Sequence, residues 1–385
     1  MCILDTSRHV LTRNGSDVSV EPQVFALLAF LAANGGRLVT KDEVVEAVWH
    51  GRAVSDATIN SRISAARAAV GDNGKDQSII RTHNRLGFEL VGPVDSTEEA
   101  SGRGAPAIQQ TIKYATSTDG IKIAFAESGS GPNVLRAGHF LTHLELDWQS
   151  PIWRPYLDAI STQHRLVRYD QRGTGLSDER LGEIGVEAYA EDLKAVADAS
   201  GLETFSLIAT SQGVPAAIKL AAENPDRVRN MVLYGGFAKG RARRDNSYSQ
   251  GEAQAMLTMI KSGWGDPKSA FMTAFTSLFC PDASKEEIDN LVEIQLASAS
   301  PENAARIRRA IDLIDVSDLL SEVQTPTLVI HANNDSVHPF SQGRFLASHI
   351  PNAQFVRLDS RNHVPLPSDP VYEQFLSATL DFIDR

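Results

Sequence analysis

Residues Ile208 to Val214 read "IATSQGV", and this stretch decides how the larger part of the chain is read. The apolar run "FSLIAT" ends at Thr210 and helix-forming residues follow from Gln212, so Ser211 falls on a sharp strand-to-helix turn. Small residues, Ala209 and Gly213, stand two positions to either side, as a strained backbone close to its neighbours requires. The pattern is G-x-S-x-G with Ala209 in place of the first glycine, an intrusion of one methyl group. Taken alone, such a serine is more often a buried or capping residue than a nucleophile.

Its partners change that reading. "VIHANNDSVHP" places Asp335 in the loop after one strand, and "RLDSRNHVPL" places His363 in the loop after the next. The apolar runs "NVLRAG", "HRLVRYD", "FSLIAT", "NMVLYGG", "TPTLVIHA" and "AQFVRLD" alternate with helical stretches, which implies a doubly wound, mostly parallel α/β sheet covered on both faces. A helical insertion at about residues 240–320 would sit above it as a cap. With "YDQRGTGLSD" and "GHFLTHLELDW" added, residues 110–385 resemble the alpha/beta-hydrolase family, whose chain order is also Ser, Asp, His.

That resemblance implies roles. His363 takes the proton of Ser211, and Asp335 fixes the tautomer of His363. The backbone N–H groups of Gln212 and of His139 in "AGHF" form the oxyanion hole. The pocket beneath the cap is expected to be lined by Gly138, Phe140, Met256, Trp264, Phe271 and Phe275. The cap residues among these recur at helical spacing, which makes a core as readily as a ligand wall. "AGHF" departs from the His-Gly-x-Pro of many members.

The chain ahead of this scaffold reads differently. "EPQVFALLAFLAANGG" is helical, with Pro22 suited to the first turn and Gly35-Gly36 to the stop. A second helix opens on the capping box "TKDE", Thr40 to Glu43. In the third, "SDATINSRISAARAAVG", Ile59, Ile63, Ala66 and Val70 make one buried stripe. Ser61, Ser64, Ala65 and Ala68 face the other way, with Asn60, Arg62 and Arg67 at the edges. "SIIRTHNRLGFELVG" reads as a hairpin with Arg81, His83 and Arg85 at its tip.

This order, carried by "GRLVTKDEVVEAVW", "VSDATINSRISAAR", "GDNGKD" and "IIRTHNRLGFELVG", resembles the winged-helix (winged helix-turn-helix, α+β) effector domain of response regulators and of one-component regulators. The resemblance covers nearly all of residues 1–95. It implies that the third helix enters the major groove of double-stranded DNA and the wing the neighbouring minor groove. The DNA-binding set it implies is Asn60, Ser61, Arg62, Ser64, Arg67, Arg81, His83 and Arg85. Residues 48–88 carry six basic against three acidic side chains, although residues 1–95 carry ten against eleven. Such modest charge suits a homodimer on paired half-sites.

The rest narrows the class. With 385 residues two domains are expected, 1–95 and 110–385, joined by the small, polar linker 96–109. The net charge of -11 argues against indiscriminate polyanion binding. Two distant cysteines, Cys2 and Cys280, give no disulfide framework, and the histidines show no metal-ligand spacing, so no metal and no cofactor is expected. There is no signal-peptide pattern and no membrane-spanning run, which reads as cytoplasmic. Two functions follow: a one-component regulator that senses a small, largely apolar molecule and retains residual hydrolysis, or a working serine hydrolase, acting on an ester, a lactone or a C–C bond, with a degenerate DNA-binding-like domain.

Overall fold

The computed structural model describes residues 2–5, 10–13, 15–18, 20–49, 54, 56–83, 86–91, 108–244, 250–266 and 269–385. The expected linker lies almost wholly outside them, as does Arg85. The chain divides into two compact units, Met1–Gly104 and Ala105–Arg385, each with its own core.

In the first unit, β1 (Cys2–Asp5), β2 (Val10–Arg13) and β3 (Ser16–Val18) form an antiparallel sheet. There follow α1 (Pro22–Ala33), β4 (Leu38–Thr40), α2 (Lys41–Trp49), α3 (Asp56–Val70), β5 (Ile80–His83) and β6 (Gly87–Leu90). Pro22 opens α1 as its spacing predicts. The capping box before α2 is made: the Thr40 N–H donates to Glu43 Oε2 at 2.7 Å, and the Glu43 N–H to Thr40 Oγ1 at 3.2 Å. Leu27, Leu28 and Leu31 of α1 close on Val44 and Val48 of α2 and on Ile59, Ile63 and Ala66 of α3. The hairpin β5–β6 joins β4 in the order β4-β6-β5.

Asp72 fixes the hairpin to the end of α3. Its carboxylate accepts the N–H groups of Asn73, Ser78, Ile79 and Ile80 at 2.8 to 3.0 Å. Burial pushes its pKa up, but the four donors outweigh that and hold it well below the usual carboxylate value. A depressed folded-state pKa gives stability that is fully present above the ordinary value of ~4 and is lost progressively as pH falls from there through the folded-state value. The gap in melting temperature between the wild-type chain and Asp72→Asn is therefore expected to narrow from pH 6 to pH 2.

The second unit is built on an eight-stranded sheet in the order β14-β13-β12-β11-β9-β10-β8-β7. Its strands are β7 (Gln110–Thr116), β8 (Lys122–Ser128), β9 (Asn133–Arg136), β10 (Arg165–Tyr169), β11 (Phe205–Thr210), β12 (Val228–Tyr234), β13 (Thr327–Ala332) and β14 (Gln354–Leu358). From β10 through β9 to β14 all pairings are parallel, while β7, β8 and β10 pair antiparallel. The central strands β11 and β13 are buried along their whole length, as a sheet covered on both faces requires. The layers are α4 (Leu144–Gln149), α5 (Arg154–Ser161), α6 (Val186–Ala199), α7 (Gly213–Glu223), α12 (Phe340–His349) and α13 (Tyr372–Ile383). Between β12 and β13 come the helices α8 (Gln250–Gly263), α9 (Ala270–Ser277), α10 (Lys285–Ser298) and α11 (Pro301–Leu313), inside the insertion read as a cap.

The loop after β10 is held by a buried ion pair. Arg172 Nε donates to Asp192 Oδ2 at 2.7 Å and Nη2 to Oδ1 at 2.6 Å, with both side chains about 1% exposed. Asp192→Ala removes the buried partner but leaves Arg172 its half-exposed one, Asp119 at 2.8 Å, so the expected cost in denaturant unfolding is about 2–3 kcal/mol, below that of a wholly unpaired buried charge.

Candidate active site

The turn after β11 strains one residue. Ser211 has φ of +52°, the left-handed region that non-glycine residues rarely occupy. Its N–H is held by Tyr234 O at 2.9 Å, and α7 starts two residues later. Gly213 is required by close approach, since a Cβ there would stand 2.6 Å from Gly138 O. Ala209 is fully buried in β11, so the core accommodates the methyl that replaces the usual glycine.

Asp335 and His363 meet as expected. His363 Nδ1 donates to Asp335 Oδ2 at 2.8 Å, and Asp335 Oδ1 accepts the N–H groups of Val337 and His338, each at 2.8 Å. Burial pushes the Asp335 carboxyl up, but His363 and these donors hold it below its ordinary value. His331 lies behind, its Nε2 donating to His338 O at 3.1 Å. Gly235 packs against the imidazole: a Cβ there would lie 3.1 Å from His363 Cε1. Ser211 and His363 line one cavity, but among the described residues His363 Nε2 has no hydrogen-bond partner. No Ser211–His363 hydrogen bond is made, and catalytic bonds of this kind tighten in the complex with substrate.

The two backbone groups expected to hold an oxyanion, the N–H groups of Gln212 and His139, belong to the segments after β11 and after β9. The N–H groups of Gln212 and His139 donate to nothing among the described residues. Gln171, on the loop anchored by Arg172, ties the two segments together: its Nε2 donates to Gly138 O at 3.1 Å and its Oε1 accepts from Gln212 Nε2. "YDQRGTGLSD" marked this loop in the sequence, but not the role of Gln171.

The cavity has a volume of about 50 Å³ and is walled by His139, Phe140, Trp153, Ser211, Phe279, Leu291, Ile294, Gln295 and His363, with Leu141, Thr210 and Val364. Phe140 is where the sequence placed it. Gly138 contributes its carbonyl to Gln171 rather than a wall. Met256, Trp264, Phe271 and Phe275 are not among the residues that wall this cavity: Trp264 Nε1 donates to Ala299 O at 3.0 Å, and Phe275 stacks on Phe271 and packs behind the wall residues Phe140 and Phe279, at 6.2 and 5.3 Å between ring centroids. The cap wall comes from α10 and from the segment just after α9, where Phe279 stacks on Phe140.

In the first unit the outward face of α3 is partly as expected. Asn60, Ser61, Ser64 and Ala68 are exposed, and so is Arg81 on β5. Arg67 is a correction: it is 6% exposed, with Nε donating to Ile80 O at 2.9 Å and Nη2 to Thr82 Oγ1 at 2.8 Å. Its guanidinium braces the wing and is not available to a duplex. Arg62 is drawn toward α1 by Glu21 at 2.7 Å and Gln23 at 3.1 Å, and His83 contacts Glu89 at 2.6 Å. Among the described residues no group of His, Cys, Asp and Glu could hold a metal ion, and no helix is long and apolar enough to cross a membrane.

Known hydrolases resemble this chain, and family models match parts of both units. A pyrrolizixenacetamide deacetylase of Xenorhabdus hominickii is 26% identical over 254 residues, 64% of this chain and 91% of that protein. A pimeloyl-(acyl-carrier protein) methyl ester esterase of Nitrosomonas europaea is 24% identical over 255 residues, 65% of this chain and 95% of that protein. The solved esterase of Exiguobacterium antarcticum superposes with a TM-score of 0.62 at 19% identity, covering 71% of this chain and all of that one. The family model for the C-terminal domain of transcriptional regulatory proteins matches residues 15–90, and that for the alpha/beta hydrolase fold matches residues 144–370. The chain belongs to the alpha/beta-hydrolase family, with a winged-helix effector domain of the transcriptional regulatory type fused ahead of the hydrolase domain.

Proposed function

We propose that this protein is a one-component transcription regulator of the cytoplasm: it binds double-stranded DNA through α3 and the wing, as a homodimer on paired half-sites, and senses a small molecule in the cavity beneath the cap. The observation that carries this reading is the pairing, in one chain, of a winged helix whose α3 exposes Asn60, Ser61 and Ser64 with a hydrolase cavity holding Ser211 and the Asp335–His363 pair. A ligand changes DNA affinity only by as much as it binds the two conformations of the protein differently. The cap, whose Phe279, Leu291 and Ile294 line the same cavity as Ser211, is the element that a ligand can shift.

The site retains the means to cleave. Ser211 Oγ attacks a carbonyl carbon while its proton passes to His363 Nε2, and the N–H groups of Gln212 and His139 hold the resulting oxyanion. The bond to the leaving oxygen then breaks and His363 gives that oxygen its proton. Water attacks the acyl-serine, gives a proton to His363, and the acid departs as the proton returns to Ser211. The made Asp335–His363 bond favours a second reading, a working serine hydrolase, and the two curated relatives described above are a deacetylase and an esterase.

A small alkyl phosphonofluoridate separates the readings. Ser211 displaces fluoride and is left phosphonylated, filling the cavity in the full-length chain. Sensing predicts that affinity for promoter DNA then changes at least threefold. Full labelling with unchanged DNA affinity contradicts the coupling and favours the hydrolase reading. The DNA face has its own check: Arg81→Ala is expected to reduce the slope of log affinity against log salt by about one, without changing the melting temperature. Arg67→Ala is expected to lower the melting temperature instead, because it removes a buried side chain and takes the donors from Ile80 O and Thr82 Oγ1.

A further inference from the structure

His139 is used above only through its backbone, yet its side chain stands in the cavity wall, stacked on Trp153 at 4.7 Å between ring centroids. His139 Nδ1 lies 3.1 Å from Phe140 O. A carbonyl oxygen can only accept, so Nδ1 carries the hydrogen. Burial, with Arg136 close by, pushes the imidazole well below its ordinary pKa, so it is neutral near pH 7 and Nε2 bears a lone pair. That Nε2 is buried and, among the described residues, has no partner. His363 Nε2 shares this condition, but Ser211 supplies its proton during attack. For His139 Nε2 no donor lies within hydrogen-bond distance among the described residues, the buried Arg136 guanidinium included.

Gln295 of α10 also lines the cavity, the one polar side chain that the cap contributes to the wall among the described residues. Its Oε1 lies 3.4 Å from Thr276 Oγ1, a donor to it, which directs the amide N–H groups elsewhere. A buried acceptor left without a donor costs binding free energy, so a site of this kind discriminates strongly for a ligand that supplies the missing hydrogen. Carboxylates and simple alkyl chains supply none. A hydroxyl does, and it can also accept from an amide such as that of Gln295.

We infer that the cavity selects a small hydroxylated carbonyl compound, a hydroxy ester or hydroxy lactone, whose hydroxyl donates to His139 Nε2. This rests on the reading of the cavity as a ligand site and sharpens the expected ligand from largely apolar to hydroxylated. The volume of about 50 Å³ suits a ligand of few heavy atoms, since about 10–15 Å³ on the same measure holds one water.

The probes are γ-butyrolactone and its α-hydroxy derivative, titrated by thermal shift against the full-length Ser211→Ala chain, in which neither is consumed. The hydroxylated lactone is expected to bind at least tenfold more tightly. Adding His139→Phe, which keeps the stacking on Trp153 but offers no acceptor, is expected to bring the two affinities within about twofold. Adding His139→Gln, whose amide oxygen accepts, is expected to restore part of the preference, and the melting temperature without ligand shows whether each variant folds. Equal affinities in the starting protein, survival of the preference in His139→Phe, or binding of neither lactone overturns the inference. None of these outcomes touches the DNA-binding reading, which fails separately if promoter DNA is not bound.

Discussion

Ser211→Ala is expected to lower kcat/KM on p-nitrophenyl acetate by roughly a thousandfold or more, with the melting temperature nearly unchanged. The hydroxyl is the only group on the strained turn after β11 that can form the acyl intermediate, and Ser211 shares the cavity with His363. In triad enzymes loss of one member leaves only what the oxyanion hole and binding contribute. The substitution removes one oxygen from a 7% exposed residue and leaves the backbone bond to Tyr234 in place, so folding is little affected. A fall of less than tenfold would assign the turnover to another residue.

Asp335→Asn is expected to lower kcat by about 10⁴ while leaving KM within a few-fold. The size follows from the wrong tautomer of the histidine, the effect that the equivalent change produces in serine proteases. The local hydrogen bonds give it a direction here. Asp335 Oδ1 accepts two backbone N–H groups, from Val337 and His338, so an asparagine must keep its oxygen on that side. Its NH₂ then faces His363 Nδ1, where the carboxylate accepted a hydrogen at 2.8 Å. The imidazole answers by moving its hydrogen to Nε2, and it can no longer take the proton of Ser211. Single-turnover kinetics with p-nitrophenyl acetate would show the acylation step slowed; slowed deacylation alone would contradict this account.

Much of this was legible in the sequence where local rules govern. Pro22 and the Thr40–Glu43 box set helix starts, because caps are decided by residues three or four apart. The alternation of apolar runs and helices marked the sheet, and the chain order of Ser211, Asp335 and His363 marked the site. What was not legible depended on long-range approach. A helical wheel puts Arg67 at the rim of the small-residue face, but the wheel does not show that β5 crosses there and offers Ile80 O. Periodicity in the cap shows apolar faces without saying which one turns inward. Packing turned Trp264 and Phe275 into the cap core and gave the cavity wall to Phe279, Leu291 and Ile294. Gln171 gained its role only where the loop after β10 meets Gly138 and Gln212.

The central claim is that this hydrolase-family chain is a DNA-binding regulator. It is tested most directly by titrating the full-length protein against the promoter region of its own gene and against a scrambled duplex of equal length, at a stated low salt concentration. The account predicts a shift on the promoter at a concentration roughly a thousandfold or more below that needed for the scrambled duplex. Equal affinity for the two duplexes, or no shift with either, would contradict it.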